Sequence, residues 1–115
     1  MKIAFTTNGG EWDSAMNPRF GRTEYFLVYN EETEDLTVFD NRETAAGAHG
    51  SGPNAARKLY DLEPDILITG NGPGDNASAV LQKMGIRVYA GAQDMTAREA
   101  YRKYQAGELS EFKMN

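Results

Sequence analysis

The sequence predicts a three-layer α/β fold on a mixed sheet with helices on both faces. Three observations carry this: a strand-like opening followed by a hairpin pattern, a second half in which helical and strand patterns alternate, and glycine-rich segments where a strand gives way to a helix. Alternation in the second half requires parallel strands joined by right-handed crossovers, while the hairpin adds at least one antiparallel strand. Five strands in the order 3-2-1-4-5 are expected.

Lys2 to Thr7 is a short apolar run stopped by Asn8-Gly9-Gly10, a strand followed by a turn. Residues Glu24 to Tyr29 and Leu36 to Phe39 alternate as two strands joined by the polar stretch Asn30 to Asp35, which makes a hairpin the economical pairing. From Asn41 to Gly50 the chain is small and polar and reads as a loop. Ser51-Gly52-Pro53 then offers a cap and a proline tolerated in a first helical turn, and Ala55, Ala56, Leu59 and Leu62 recur at helical spacing up to Pro64. Asp65 to Thr69 is nearly continuous in apolar residues, as in a parallel strand covered on both faces. A second helix through Ala77, Val80, Leu81 and Met84 closes at Gly85, where a left-handed cap falls, and Ile86 to Tyr89 is the next strand. Thr96 with Glu99 makes a capping box for a third helix through Ala97, Ala100, Tyr101 and Tyr104, ended by Gly107; the tail beyond it is expected to be loosely held.

Composition bounds the function. The 115 residues, 40% hydrophobic and 25% charged, suit one domain over residues 1–115. No run is long enough to cross a bilayer, and no signal-peptide pattern is present, so a cytoplasmic protein without membrane contact is expected. The absence of cysteine removes disulfides, thiolate metal ligands and cysteine nucleophiles together. A net charge of −5 disfavours nucleic acid as a partner, because such binding draws on a dense basic surface.

In a sheet of this kind ligands sit beyond the carboxyl ends of the strands. Three loops would meet there: Asn8 to Arg22, Gly47 to Gly52, and Gly70 to Asn76. The segments GAHGSG and GNGPGDN are rich in glycine and immediately precede helices, so free amides and two helix dipoles could converge on one anion. Arg19-Phe20-Gly21-Arg22 adds two fixed charges in the planar form suited to oxygen- or sulfur-rich anions. A plainer explanation stands beside it: Phe20 packs in the core, Gly21 permits an unusual backbone angle, and the arginines are solvated or ion-paired. GNGPGDN has its own plain explanation as an ordinary strand-to-helix turn, with Asp75 as a cap. His49, the only histidine, lies in a glycine-rich loop that leaves its ring nitrogens accessible to a metal, although a lone loop histidine is more often solvated or hydrogen-bonded than a ligand. Met16 and Met95 are soft thioethers better explained by packing.

Enzyme motifs fail in turn. The dinucleotide pattern lacks its acid after Val88-Tyr89-Ala90, no Gly-Lys-Ser/Thr run exists, and the first strand carries none of the carboxylates a two-metal nuclease needs. No nucleophile elbow accompanies the histidine. A binding protein, not an enzyme, is the reading that remains.

MKIAF, RFGRTEYFLVY, GAHGSGPNAARKL, ILITGNGPGDNASAVLQKMGIRVY and AREAYRKYQAGEL, in that order and spacing, together resemble the dinitrogenase iron–molybdenum cofactor biosynthesis family over nearly the whole chain. The resemblance implies a ribonuclease H-like fold without nuclease activity and a non-catalytic carrier of an anionic metal–sulfur cluster. The cargo it implies is an iron–molybdenum cofactor precursor or, as in stand-alone members of the orange-protein type, a molybdenum–copper sulfide cluster; the sequence leaves open whether the isolated protein retains it. By the same resemblance the cluster-binding residues are Arg19, Phe20, Gly21, Arg22, His49, Gly50, Gly72, Pro73, Gly74 and Asn76, with His49 a direct metal ligand. The expected partners are cluster-assembly proteins or an assembly ATPase, met by a monomer. The alternative function is a regulatory partner of such an ATPase that binds no cofactor.

Overall fold

The computed structural model describes residues 1–47 and 51–114. The chain runs β1 (Lys2–Thr7), β2 (Tyr25–Asn30), β3 (Asp35–Asp40), α1 (Arg42–Ala45), α2 (Ser51–Leu62), β4 (Ile66–Ile68), α3 (Asp75–Lys83), β5 (Arg87–Ala90), α4 (Ala97–Gln105) and β6 (Ser110–Glu111). These strands form one mixed sheet in the order β3-β2-β1-β4-β5-β6. β1 pairs antiparallel with β2 and parallel with β4, and β4 pairs parallel with β5.

The expected strand order holds for the first five strands, and a sixth extends the sheet. The tail is therefore not loose: Ser110 and Glu111 pair antiparallel with Ala90 and Tyr89, and the Phe112 amide donates to Val88 O at 2.7 Å. A second difference lies in Asn41–Gly50, where Arg42–Ala45 form a short helix instead of continuous loop. Its first turn is held by Asp40, whose carboxylate accepts from the Arg42 amide and from its guanidinium.

Period-two alternation of side chains divides the core into two layers. Ala4, Phe26, Val28, Leu67 and Val88 face α2 and α3, meeting Ala55, Ala56, Leu59, Ala77 and Leu81. Ile3, Phe5, Leu27, Ile66 and Ile68 face the opposite way, against Ala97 and Ala100 of α4. β1 and β4 are thus apolar on both sides, which is why they read as continuous hydrophobic runs.

The helix ends follow local chemistry. Thr96 and Glu99 form the capping box, with the Glu99 amide donating to Thr96 Oγ1 at 3.2 Å and the Thr96 amide to Glu99 Oε1 at 3.0 Å. Gly85 and Gly107 each take φ +73°, the left-handed conformation that ends a helix without a Cβ clash. Among the described residues no helix is long and apolar enough to cross a membrane.

Candidate functional site

The carboxyl ends of β1 and β4 lie side by side, and Thr6 in β1 and Thr69 just after β4 tie the rim together. Thr6 Oγ1 donates to Asn17 O at 3.0 Å, which leaves Thr69 as donor in the 2.9 Å contact between the two hydroxyls. Asn17 in turn organises the arginine-bearing loop. Its amide donates to Thr6 O, its Nδ2 to Asn8 Oδ1, and its Oδ1 accepts from the Arg19 amide at 2.8 Å. This side-chain turn fixes Pro18 and Arg19 above the sheet.

The four residues of RFGR divide between packing and charge. Phe20 is buried and packs against Phe26 with ring centroids 5.8 Å apart, as the plain explanation requires. Gly21, by contrast, has no positive φ; among the described residues only Gly85, Gly91 and Gly107 do among glycines, so an unusual backbone angle is not why glycine stands there. The Arg22 guanidinium reaches across to Ala45 O at 2.7 Å and also donates to Gly47 O. Carbonyl oxygens orient this guanidinium without neutralising it, and neither Arg19 nor Arg22 has an ion-pair partner among the described residues. His49 and Gly50, together with the metal-ligand role expected of His49, lie outside the described residues.

The loop between β4 and α3 is gripped by this segment. The Asn71 amide donates to Pro18 O at 2.8 Å, and a Cβ added to Gly70 would lie 2.6 Å from Pro18 Cα. Gly72 faces the Phe112 ring so closely that an added Cβ would come within 1.9 Å of Phe112 Cε1. Packing thus accounts for these two glycines. Gly74 differs: nothing lies within 4 Å of where its Cβ would be, and its φ of −68° would suit any residue.

Gly74 is the N-cap of α3, which places Asp75 inside the first turn and not at the cap the sequence suggested for it. No side chain caps this helix. The Ser78 amide turns back to Gly74 O, but among the described residues the amides of Asp75, Asn76 and Ala77 donate to no protein acceptor. Pro73 is buried beneath them, its carbonyl accepting from Ser78 Oγ at 3.2 Å. α2 starts alongside, since a Cβ on Gly52 would meet Ala77 Cβ at 3.3 Å. Two helix N-termini and the arginine-bearing loop therefore share one rim.

The start of α4 is closed by comparison. Ala97 and Arg98 donate their amides to Ser14 O and Trp12 O, and the capping box takes those of Thr96 and Glu99. Its neighbouring cleft of about 340 Å³, bordered by Met16 and Met95, also carries Asp94 and Glu99, which repel anions. Among the described residues the open amides of a helix start are thus those of α3.

Two neighbours went unremarked in the sequence. Arg57 and Lys58, about two turns into α2, line a cleft of about 420 Å³ that reaches Gly47; only the helical spacing of α2 could have suggested that they share a face with this rim. Asn41 Oδ1 is buried and finds no donor among the described residues, while its Nδ2 donates to Thr23 O at 3.0 Å. That oxygen requires a donor and so cannot face a bare anion. Among the described residues no group of three or more His, Asp or Glu side chains is placed to hold a metal ion.

Fold and rim together define a small three-layer α/β protein with unpaired amides beside an arginine-bearing loop. The chain belongs to the dinitrogenase iron–molybdenum cofactor family, whose model matches residues 1–107. The apo form of the orange protein from Desulfovibrio gigas is similar to it with a TM-score of 0.90 and 32% identity, over 96% of this chain and 92% of that one. A candidate NifB protein of the DUF35 family from Thermotoga is similar with a TM-score of 0.83 and 32% identity, over 96% of this chain and 91% of that one. None of the curated proteins matches the chain significantly.

Proposed function

We propose that this protein is a non-catalytic carrier of an anionic metal–sulfur cluster, either an iron–molybdenum cofactor precursor or a molybdenum–copper sulfide cluster. One observation carries the reading: the Asp75, Asn76 and Ala77 amides at the start of α3 have no protein acceptor, open space lies over Gly74, and the loop bearing Arg19 is bonded to the same turn through Asn71 and Pro18. Such a rim suits an anion whose charge is spread over several sulfurs, because it supplies many weak donors and diffuse positive charge instead of one strong ligand.

In this reading Arg19 and Arg22 neutralise the cluster's charge, Gly74 and Asn76 approach it with backbone donors, and Phe20, Gly21, Gly72 and Pro73 shape the loops that do so. His49 serves as the metal ligand and Gly50 as a further cluster-binding residue. The topology is ribonuclease H-like, and β1, which would carry a nuclease's carboxylates, consists of Lys2-Ile3-Ala4-Phe5-Thr6-Thr7. The carrier works as a cytoplasmic monomer that exchanges its cargo with cluster-assembly proteins.

Anaerobic reconstitution with tetrathiomolybdate and copper(I), followed by gel filtration with visible detection, tests this. A chromophore eluting with the protein, and diminished in Arg19→Glu, is expected. A colourless protein peak would refute carriage of this class of cluster. The Arg57 and Lys58 cleft favours a second reading, a regulatory partner that docks an acidic surface of an assembly ATPase; capture of that ATPase by metal-free protein, lost in Arg57→Glu/Lys58→Glu, would support it.

A further inference from the structure

The family match ends at residue 107, yet the chain continues into β6 and a tail that reaches the candidate site. Phe112 is anchored through its amide to Val88 O at 2.7 Å, and Glu111 beside it pairs with Arg87 at 2.9 Å. Two residues further on, Met114 O accepts from Gln82 Nε2 at 2.8 Å, tying the tail to α3. The Phe112 ring fills the space a side chain would occupy at Gly72. On the other side of the same loop, Gly70 lies against Pro18 and the Asn71 amide is bonded to Pro18 O.

We infer that Phe112 is a positioning residue: the C-terminal strap presses Gly72 against the rim, so that the loop leading to Gly74 and the open amides of Asp75, Asn76 and Ala77 keep one geometry. The physical reason is preorganisation. Donors held in place before the ligand arrives need no ordering when it binds, whereas a glycine-rich loop released from one clamp must be ordered at the ligand's expense. Three glycines in five residues, Gly70, Gly72 and Gly74, give this loop little rigidity of its own, and contacts from Pro18 and Phe112 supply it. The ligand in this inference rests on the cluster-carrier reading; the clamping of the loop does not.

The test uses the full chain as Phe112→Ala and Phe112→Leu, with two readouts. In Phe112→Ala, hydrogen exchange at the Asn71 and Ser78 amides, which are bonded to Pro18 O and Gly74 O, should rise roughly tenfold, while amides in β1 stay protected. Affinity for tetrathiomolybdate should fall about fivefold or more, and Phe112→Leu should recover much of both. Unchanged exchange in Phe112→Ala overturns the inference whatever the ligand. Faster exchange with unchanged tetrathiomolybdate affinity also overturns it, because the loop would then be clamped for stability alone. If the wild type binds no tetrathiomolybdate, the carrier reading and the positioning role fall together, and that result is distinguishable from wild-type binding that Phe112→Ala leaves intact.

Discussion

Two glycines four residues apart should respond to the same substitution in opposite ways. In Gly70→Ala the new methyl would stand 2.6 Å from Pro18 Cα and 3.3 Å from Asn17 O, both backbone atoms that cannot rotate aside. Carbon atoms settle at about 3.5–4.0 Å, so the backbone must yield by roughly 1 Å. Overpacking of this kind costs about 1–3 kcal/mol. Separating the two loops also strains the 2.8 Å bond from the Asn71 amide to Pro18 O, worth about 1 kcal/mol net. At roughly 4 °C per kcal/mol, where the ranges for smaller and larger domains meet, this total of about 2–4 kcal/mol should lower Tm by about 8–16 °C. Gly74→Ala meets no atom within 4 Å and keeps an ordinary φ, so only the weaker N-cap preference of alanine is felt, at most about 1 kcal/mol. Its methyl nevertheless stands before the open amides of α3, so tetrathiomolybdate binding should drop while the fold survives. Thermal melts and anaerobic titration of both variants decide the matter. Equal destabilisation by the two, or undiminished binding in Gly74→Ala, would refute the reasoning.

The two arginines should also separate. Arg22→Ala, which loses the bonds to Ala45 O and Gly47 O, should cost about 1–3 kcal/mol in urea unfolding, whereas Arg19→Ala, at an exposed position without an ion pair among the described residues, should leave stability unchanged and weaken only anion binding. Thr96→Ala removes one half of the capping box and should lower stability by about 1 kcal/mol without altering the anion site, since α4 starts outside it. Acid should destabilise the fold through three carboxylates. The Arg42 guanidinium holds Asp40 at about 2, the Thr96 amide holds Glu99 below its ordinary value, and the Arg87 guanidinium does the same for Glu111. Their folded pKa values are depressed, so their contribution is complete above the ordinary carboxylate range and is lost progressively as pH falls from there through the folded values, about 2 for Asp40. Tm should therefore be flat above about pH 5 and decline below about pH 4, less steeply in high salt because all three are exposed. A decline that begins above pH 5 would assign acid sensitivity to other groups.

Much of the fold is legible because the signals are local. The apolar runs of β1 and β4, the hairpin alternation, the helical spacing of α2 and α3, the Thr96–Glu99 box and the stops at Gly85 and Gly107 depend on residues a few positions apart. What escaped notice depends on distant partners. β6 has two exposed residues, Ser110 and Glu111, with no strand signature; it forms because β5 offers a free edge and Phe112 finds a seat at Gly72. α1 is too short for periodicity and owes its first turn to Asp40.

For the candidate site the division is similar. Residue types alone suggested an anion rim, since RFGR supplies fixed positive charge and the glycine-rich segments precede helices. Their different roles emerge only in three dimensions: of the three glycines between β4 and α3, Gly70 and Gly72 make room for Pro18 and Phe112 and Gly74 leaves open space, and Arg22 braces a loop while Arg19 remains exposed. The sequence by itself determined which elements form and in what order, because periodicity, caps and turns act over a few residues. Only the tertiary structure decided which glycine faces solvent, which helix start stays open and that the tail closes on the rim, because each depends on what a distant segment brings within contact distance.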